Sequence, residues 1–403
     1  MRGPWVGLAL IATVGVFAPP AAAPAYAQER TLEQVKTEVL RRAGRQNPFE
    51  FVRRDDVEEV VRGLDSLDRD HWAQQWCRMG LRHEARGDRL LAEGAAPAQI
   101  GEAYTLAFNY CRAGRYPVAS TPGKREAYQH SLRMFRKAAA YFDPPLQIVR
   151  FPFEGRELIG YLQVPRGAVR PPVVLHWGGV DGWKEDRQLN SSVLHRFGFA
   201  TFTMDMPGTG ENPILFGEPR AERTFSAAID HLIGRGDVDG RRIGVWGSSF
   251  GGYWGAKLAY TEAGRIRAAV TQGGNVHHGF QPEWLGPALT RTAATYLLGP
   301  SSLLDARSFV LGVRTLDEVL RAAPALSLKT QGLLDRPSAP LLAVNGKLDD
   351  QAPIEDVYIL LEHGAPKEAR VYPQGRHMGR SPGMREDELA TMIATWLRQR
   401  LGP

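Results

Sequence analysis

The chain has 403 residues, of which 43% are hydrophobic, and a formal net charge of +6. This length and composition are typical of a globular protein with two or three domains and a sizeable core. Lys and Arg never occur in runs of more than two, and acidic residues are interleaved with them, so the charge pattern excludes a basic tract of the kind that binds nucleic acid.

Residues 1–27 have the pattern of a secretory signal peptide. Arg2 precedes an apolar run from Val6 to Ala18, and the segment "AYAQ" suits cleavage after Ala27. An uncleaved anchor is the alternative, but the run of about 13 residues is shorter than the roughly 20 that a membrane-spanning helix needs. We therefore predict an exported protein, periplasmic or secreted, with no stable membrane insertion once the signal is removed.

Cys77 and Cys111 are the two cysteines of the chain. Two cysteines alone make a poor metal site, and we expect no metal. An exported protein meets an oxidising compartment, so a disulfide between them is one interpretation. The other, which we prefer at this point, is a pair of buried free thiols.

Residues 28–145 are predicted to form an all-helical N-terminal domain that resembles a cap. Apolar side chains recur there at spacings of three and four, which marks helix faces that pack against a core. The members of these stripes are Leu32, Val35, Val39, Leu40, Trp72, Trp76, Met79, Tyr104, Ala107, Phe108, Cys111, Tyr128, Leu132, Phe135 and Ala139. The segment "DPPLQIV" then breaks the helical pattern and marks the domain boundary.

Residues 146–403 alternate short β-rich runs with helical stretches, which predicts an α/β fold. Fully apolar strands suit a mostly parallel sheet with helices on both faces. The predicted strands are "QIVRFPF", "RELIGYLQV", "PPVVLHWGG", "FATFTMD", "RRIGVWG", "IRAAVTQGG", "APLLAVNG" and "EARVYPQG". A helical excursion at about 281–335 interrupts the alternation, and a lid over an active site and a plain surface excursion are equally consistent with it.

The segment "VWGSSFGG" contains a Gly-x-Ser-x-Gly pattern centred on Ser249, with Gly247 and Gly251 as its glycines. Ser248 does not fit, because Trp246 stands where the first glycine would be. A predicted strand ends at Gly247 and a helix follows, so Ser249 lies in the strand-to-helix turn that exposes a nucleophile. Ser249 is therefore the candidate nucleophile.

A serine nucleophile needs a base, and the base needs an orienting acid. Asp349 and Asp350 follow one later predicted strand, and His377 follows the next, which is the chain order Ser, acid, His of this architecture. We assign Asp349 as the acid and His377 as the base. A helix cap for the aspartates and a surface position for the histidine are the alternatives.

Two backbone N–H groups are needed to hold the oxyanion of an acyl-transfer reaction. Phe250, directly after the nucleophile, should supply one. The Gly-rich loop after "VVLHW" should supply the other, from Val180 or, as second choice, Gly179. An ordinary Gly-rich turn is the alternative interpretation of that loop.

These motifs resemble the α/β-hydrolase superfamily and, within it, the branch of FrsA-like esterases and 2,6-dihydroxypseudooxynicotine hydrolase. The similarity rests on "HWGGVDGWKED", "DMPGTGE", "GSSFGG", "NGKLDDQAP" and "GRHMG", in that order. The resemblance implies that the helical domain helps to form the substrate pocket and that Ser249, Asp349 and His377 are the triad. The branch includes carboxylesterases and hydrolases of carbon-carbon bonds beside a ketone, and the resemblance does not choose between them.

The sequence as a whole predicts an exported serine hydrolase of a small-molecule ester or acyl substrate, without a metal or organic cofactor. The alternatives are a carbon-carbon bond hydrolase, an acyl-peptidase and a non-catalytic binding protein on a hydrolase fold. Trp177, His277 and His278 are candidate pocket residues, with a structural role as the alternative for the two histidines. Monomer and homodimer both stay open.

Overall fold

The computed structural model describes residues 28–364 and 367–402, so the predicted signal peptide lies outside the described residues. The N-terminal part is helical. Its helices are α1 (Leu32–Arg42), α2 (Arg54–Gly63), α3 (Arg69–Ala92), α4 (Pro97–Arg115) and α5 (Pro122–Ala139). Among the described residues, no helix has the length and apolarity needed to cross a bilayer.

Local capping explains where the first helix begins. Gln34 N donates to Thr31 Oγ1 (3.2 Å), and Thr31 N donates to Gln34 Oε1 (2.9 Å), which is a capping box. At α3 the carboxylate of Asp68 accepts from the backbone N–H groups of Asp70 and His71. Each cap satisfies N–H donors that the first helical turn leaves open.

An eight-stranded sheet forms the second part, and the predicted mostly parallel sheet with helices on both faces is confirmed. The strands are β1 (Leu146–Phe153), β2 (Arg156–Gln163), β3 (Pro172–Trp177), β4 (Ala200–Met204), β5 (Asp239–Ser248), β6 (Ala268–Gln272), β7 (Leu341–Gly346) and β8 (Lys367–Tyr372). Their order is β1-β2-β4-β3-β5-β6-β7-β8. The pairs β1–β2 and β2–β4 are antiparallel, and the pairs from β4 to β8 are parallel.

The remaining helices are α6 (Gln188–Arg196), α7 (Arg223–Ile233), α8 (Gly252–Thr261), α9 (Pro282–Thr295), α10 (Pro300–Leu311), α11 (Leu316–Ala322), α12 (Glu355–Glu362) and α13 (Glu388–Leu401). Successive strand residues serve opposite faces of the sheet. Val173 and Leu175 join the core shared with α7 and α8, whereas Val174 joins the core shared with α6 and α13. Helices α9, α10 and α11 lie in the stretch between β6 and β7.

A disulfide joins Cys77 of α3 to Cys111 of α4, with Cα atoms 4.1 Å apart. The preference for two free thiols was therefore wrong. Gly80 explains the close approach, because a Cβ there would lie 2.8 Å from the carbonyl oxygen of Ala107. The two helices meet almost backbone to backbone, which brings the sulfur atoms within bonding reach.

Charged contacts attach the helical region to the loop after β3. Asp186 Oδ1 forms an ion pair with Arg112 Nε at 2.6 Å, and Asp186 Oδ2 accepts a hydrogen bond from Arg115 Nη2 at 2.8 Å. The guanidinium of Arg115 also lies over the Trp183 ring, 3.8 Å from its centroid. Arg112, Arg115 and Asp186 are largely enclosed, so this contact is part of the core of the molecule rather than a surface ion pair.

Lys184 is the centre of a buried ionic cluster in the same loop. Its Nζ lies 2.7 Å from Glu185, 2.7 Å from Asp205 and 2.9 Å from Glu211, and the Lys184 side chain has no exposed surface. Burial alone would lower the pKa of Lys184, but the carboxylates of Asp205 and Glu185 raise it well above its usual value. Burial also raises the pKa of Glu185 to about 7.

We predict that Lys184→Met destabilises the fold by about 3–5 kcal/mol, because it leaves buried carboxylates without their cation. The measurement is the free energy of unfolding in urea. Lys36→Met is the control, since Lys36 pairs at 3.2 Å with the exposed Glu33 and its loss should cost less than about 1 kcal/mol. Equal losses in the two variants would contradict this account of the cluster.

Candidate active site

Ser249 lies between the end of β5 and the start of α8, in the turn that the sequence predicts. Its φ angle is +57°, a left-handed conformation that is costly for a residue with a side chain. A Cβ on Gly251 would overlap the carbonyl oxygen of Gly178, and a Cβ on Gly247 would overlap that of Gly251. The glycines of the motif are therefore required by two close backbone contacts beneath the serine.

The structure brings Ser249, His377 and Asp349 together in one chain of hydrogen bonds. Ser249 Oγ lies 2.7 Å from His377 Nε2, and His377 Nδ1 lies 2.8 Å from Asp349 Oδ2. The His377 ring accepts from the serine and donates to the carboxylate when its proton is on Nδ1. This is the geometry that lets a histidine remove a proton from a serine hydroxyl.

Asp349 is held as a carboxylate. Its side chain is fully enclosed, and Oδ1 accepts from the backbone N–H groups of Gln351 (2.8 Å) and Ala352 (3.1 Å). Burial alone would raise the pKa of Asp349, but the charge and hydrogen bond of His377, with those two N–H groups, lower it below the usual value. The neighbouring Asp350 makes no hydrogen bond to His377 within the described chain.

Gln272 fixes the loop that carries His377, and the sequence analysis missed it. Its Nε2 donates to the carbonyl oxygen of Met378 at 3.2 Å, while its Oε1 accepts from Trp246 Nε1 and Ser248 Oγ, each at 3.1 Å. Met378 itself has a φ of +64°. A polar residue that ends the apolar strand "AAVTQ" was the available signal.

The candidate oxyanion loop lies directly against the nucleophile. A Cβ on Gly179 would lie 2.9 Å from Ser249 Oγ and 3.2 Å from Phe250 N, so this backbone touches both groups. Val180 is buried beside it, and its carbonyl oxygen accepts from Trp183 Nε1 at 2.9 Å. The assignment of Phe250, with Gly179 or Val180, as oxyanion donors stays a prediction.

A narrow cavity of about 30 Å³, partly open to solvent, lies between the sheet edge and α9–α11, and none of the three triad side chains lines it. Its wall includes Phe250, which follows Ser249 in the chain. It also includes Gln351, whose backbone N–H donates to Asp349. The lining is mostly apolar, and it comprises Phe250, Asn275, Phe280, Trp284, Leu285, Ala288, Leu289, Thr292, Arg307, Leu311, Val319, Ala323, Leu326 and Gln351.

Trp177 does not line this cavity, so its assignment to the pocket is corrected. The indole is fully buried, its Nε1 donates to the Gly251 carbonyl oxygen at 2.8 Å, and its ring packs on Phe225. Trp177 therefore supports the turn under Ser249 from below.

The histidines of "GGNVHHGF" also lie outside the cavity lining, where Asn275 and Phe280 of the same loop stand instead. His277 Nδ1 lies 2.7 Å from Ser327 Oγ. The backbone N–H groups of His277 and His278 donate to the buried carboxylate of Asp356. The hydrogen bonds of the two histidines hold this loop in place, which agrees with the structural role that the sequence analysis gave as the alternative.

Comparison with known proteins supports this architecture. A family model described as Esterase FrsA-like matches residues 52–374. Esterase FrsA of Yersinia pestis (strain Pestoides F) is 27% identical over 302 residues, which cover 73% of this chain and 69% of that protein. Esterase FrsA of Yersinia pseudotuberculosis serotype O:1b (strain IP 31758) matches with the same values.

Two solved structures share the fold. The 2,6-dihydroxy-pseudo-oxynicotine hydrolase has a TM-score of 0.72 at 22% identity, with 88% of this chain and 94% of that chain covered. AbyA5 has a TM-score of 0.68 at 21% identity, with 87% of this chain and 89% of that chain covered. The predicted α/β-hydrolase fold with a preceding helical region is confirmed by these likenesses.

We predict that Gly251→Ala destabilises the protein by about 2 kcal/mol or more, because its Cβ would overlap the Gly178 carbonyl and move the turn under Ser249. Urea unfolding measures the loss. Gly264→Ala is the matched control, since a Cβ at Gly264 meets no atom within 4 Å, and we expect a change within about 0.5 kcal/mol. A harmless Gly251→Ala would mean that this backbone contact does not constrain the turn.

Proposed function

Because this chain belongs to the FrsA-like esterase family, we propose that it is an exported serine hydrolase that cleaves an ester or another acyl substrate. The observation that carries the proposal is the hydrogen-bonded chain from Ser249 through His377 to Asp349, with distances of 2.7 and 2.8 Å. A hydroxyl beside an imidazole oriented by a buried carboxylate is an activated nucleophile.

In the proposed reaction Ser249 Oγ attacks the substrate carbonyl carbon while His377 Nε2 takes the hydroxyl proton. Asp349, ionised because its pKa is lowered, stabilises the imidazolium that results. The N–H of Phe250, with that of Gly179 or Val180, receives the negative oxygen of the tetrahedral intermediate. His377 then gives its proton to the departing alcohol, and a water molecule releases the acyl group from Ser249 by the same steps.

Carbon-carbon bond hydrolysis is the second candidate, and the composition of the cavity disfavours it. That reaction needs an acid to protonate a leaving carbanion. Among the described lining residues the polar side chains are amides, a hydroxyl and a guanidinium, and none of these is a carboxylic acid or an imidazole. His377 alone would have to protonate the leaving group, which suits an alkoxide better than a carbanion.

An acyl-peptidase and a non-catalytic binding protein are the remaining alternatives. Hydrolysis of acylated peptides without hydrolysis of esters would favour the peptidase. A binding protein has no need of an aligned serine, histidine and aspartate, so the assembled hydrogen bonds argue against it.

Export is part of the proposal and has two supports. Residues 1–27 have the sequence pattern of a signal peptide. The disulfide between Cys77 and Cys111 suits an oxidising compartment, since disulfides are rare in the cytosol of most cells.

We predict that a fluorophosphonate probe modifies the mature protein on Ser249, as shown by mass spectrometry of peptides. Ser249→Ala should abolish modification, and His377→Ala should slow it by about a hundredfold or more, because the hydroxyl loses its base.

Ser248→Ala is the matched control, one residue away. Ser248 Oγ donates a hydrogen bond to Gln272 Oε1 and accepts one from Arg187 Nη2 at 3.2 Å. The hydrogen bond to His377 is made by Ser249 instead. Modification of Ser249 should therefore persist in this variant. A folded protein that stays unmodified, or that is modified on another serine, contradicts the proposed nucleophile.

We predict that expression of the full chain in a Gram-negative host yields a mature protein that begins at Gln28 and is recovered outside the cytoplasm. N-terminal sequencing of the purified protein and cell fractionation measure this. A protein that keeps Met1 and stays in the cytoplasmic fraction would remove export from the proposal without affecting the catalytic part.

A further inference from the structure

Arg307 is placed to contact a substrate in the cavity beside the triad. It belongs to α10 and forms part of the cavity wall. Its Cζ lies 4.8 Å from the centroid of the Phe250 ring, and Phe250 directly follows Ser249. The guanidinium therefore lies over the side chain of the residue that follows the proposed nucleophile.

The charge of Arg307 has no anionic partner in the described part of the chain. Its Nη1 is shielded from solvent and has no hydrogen-bond acceptor, and no described carboxylate forms an ion pair with it. Burial lowers the pKa of Arg307, and Tyr296 and Asp181 offset only part of this effect. The Arg307 side chain as a whole is partly exposed, but a guanidinium whose Nη1 is enclosed without an acceptor loses hydration that nothing in the described chain replaces.

Two other enclosed guanidiniums of this protein are neutralised, whereas Arg187 donates to Ser248 Oγ at 3.2 Å and forms no ion pair within the described chain. Arg112 and Arg115 share the carboxylate of Asp186 at 2.6 and 2.8 Å. Asp181, which contributes at longer range to Arg307, already accepts a hydrogen bond from Asn47 Nδ2 at 2.8 Å. Arg307 thus differs from Arg112 and Arg115 in having no carboxylate partner, and it differs from Arg187 in lining the cavity.

The rest of the cavity is suited to a ligand with an apolar body and few polar groups. The lining is mostly aliphatic and aromatic, and no carboxylate among the described residues lines it to repel an anion. Asn275 Oδ1, also in the wall, is buried without a donor. Unpaired polar atoms in an otherwise apolar cavity fix the position of a ligand that can satisfy them.

We propose that the substrate of this enzyme carries a carboxylate in addition to its scissile carbonyl, and that Arg307 binds this carboxylate. The inference rests on the proposed function, since it places the scissile carbonyl at Ser249. A guanidinium presents paired N–H donors that match the two oxygens of a carboxylate, so one residue can both select and orient the substrate.

The experiment compares two pairs of esters that differ in one charge. The first pair, 4-nitrophenyl hemiglutarate and 4-nitrophenyl pentanoate, carries the carboxylate on the acyl side. The second pair, the butyrate esters of 4-hydroxybenzoate and of phenol, carries it on the alcohol side. The quantity measured is the ratio of kcat/KM for the charged ester to that for the neutral ester.

We predict that the wild-type enzyme prefers the charged member of one pair, and that Arg307→Met lowers this ratio by about tenfold or more, mostly through KM. Arg307→Lys keeps the charge without the paired donors and should give an intermediate ratio. Arg321→Met removes an exposed arginine of the neighbouring α11 and should keep the wild-type ratio. The fluorophosphonate probe verifies that each variant retains a folded, reactive Ser249.

Failure of this inference is distinguishable from failure of the proposed function. A wild-type enzyme that is labelled on Ser249 but shows no charge preference in either pair overturns the role of Arg307 alone, as does a preference that survives in Arg307→Met. If no ester is cleaved, calorimetric titration with hexanoate and hexanamide decides the matter. Binding of hexanoate that Arg307→Met weakens supports the carboxylate site, and equal or absent binding of the two ligands overturns it.

Discussion

The close crossing of two glycine backbones beneath Ser249 is the contact on which the active site depends. Gly251 packs against the Gly178 carbonyl so closely that a Cβ on Gly251 would overlap the carbonyl oxygen. The same contact joins the turn that carries the nucleophile to the loop that begins at Gly178 and contains the candidate oxyanion donors. Nucleophile and oxyanion loop are therefore not positioned separately, because one contact sets the distance between them. The left-handed backbone of Ser249 is maintained by this packing, since an isolated turn would relax to a cheaper conformation.

Buried charges hold the other side of that loop. Lys184 ties it to Asp205 after β4, and Asp186 ties it to Arg112 and Arg115 of the helical region. Such clusters give little net stability compared with apolar packing, but their fixed partners favour one arrangement over its neighbours. The helical region is thus bonded to the same short segment that reaches Ser249. We infer that it is part of the active-site framework, because movement of α4 would be transmitted to the oxyanion loop through two enclosed ion pairs.

The elements and residues that could be predicted are those that local pattern determines. Apolar runs marked the strands, and the position of Ser249, Asp349 and His377 after β5, β7 and β8 placed them at one edge of the sheet. What could not be predicted depends on contacts between distant segments. Nothing in the sequence near Trp177 indicates that its indole meets the Gly251 carbonyl instead of a substrate. The disulfide likewise depends on an approach of α3 and α4 that only the packing of the two helices reveals.

If Arg307 binds the substrate as proposed, the groups for chemistry and for specificity lie in different parts of the fold. The reacting groups follow strands of the sheet, which is the most rigid part of the fold, whereas Arg307 lies in the helical stretch between β6 and β7. That stretch is itself fastened to the N-terminal helices, since Leu297 is buried in their core and the rings of Tyr116 and Tyr296 are stacked, 6.1 Å between centroids. Substitutions in this stretch can therefore change which substrate fits without moving the triad. Because the sheet and the helical region together hold α10 in place, the position of Arg307 relative to Ser249 is set before a substrate binds, and in the proposed function the substrate carboxylate supplies the anion that the described chain does not.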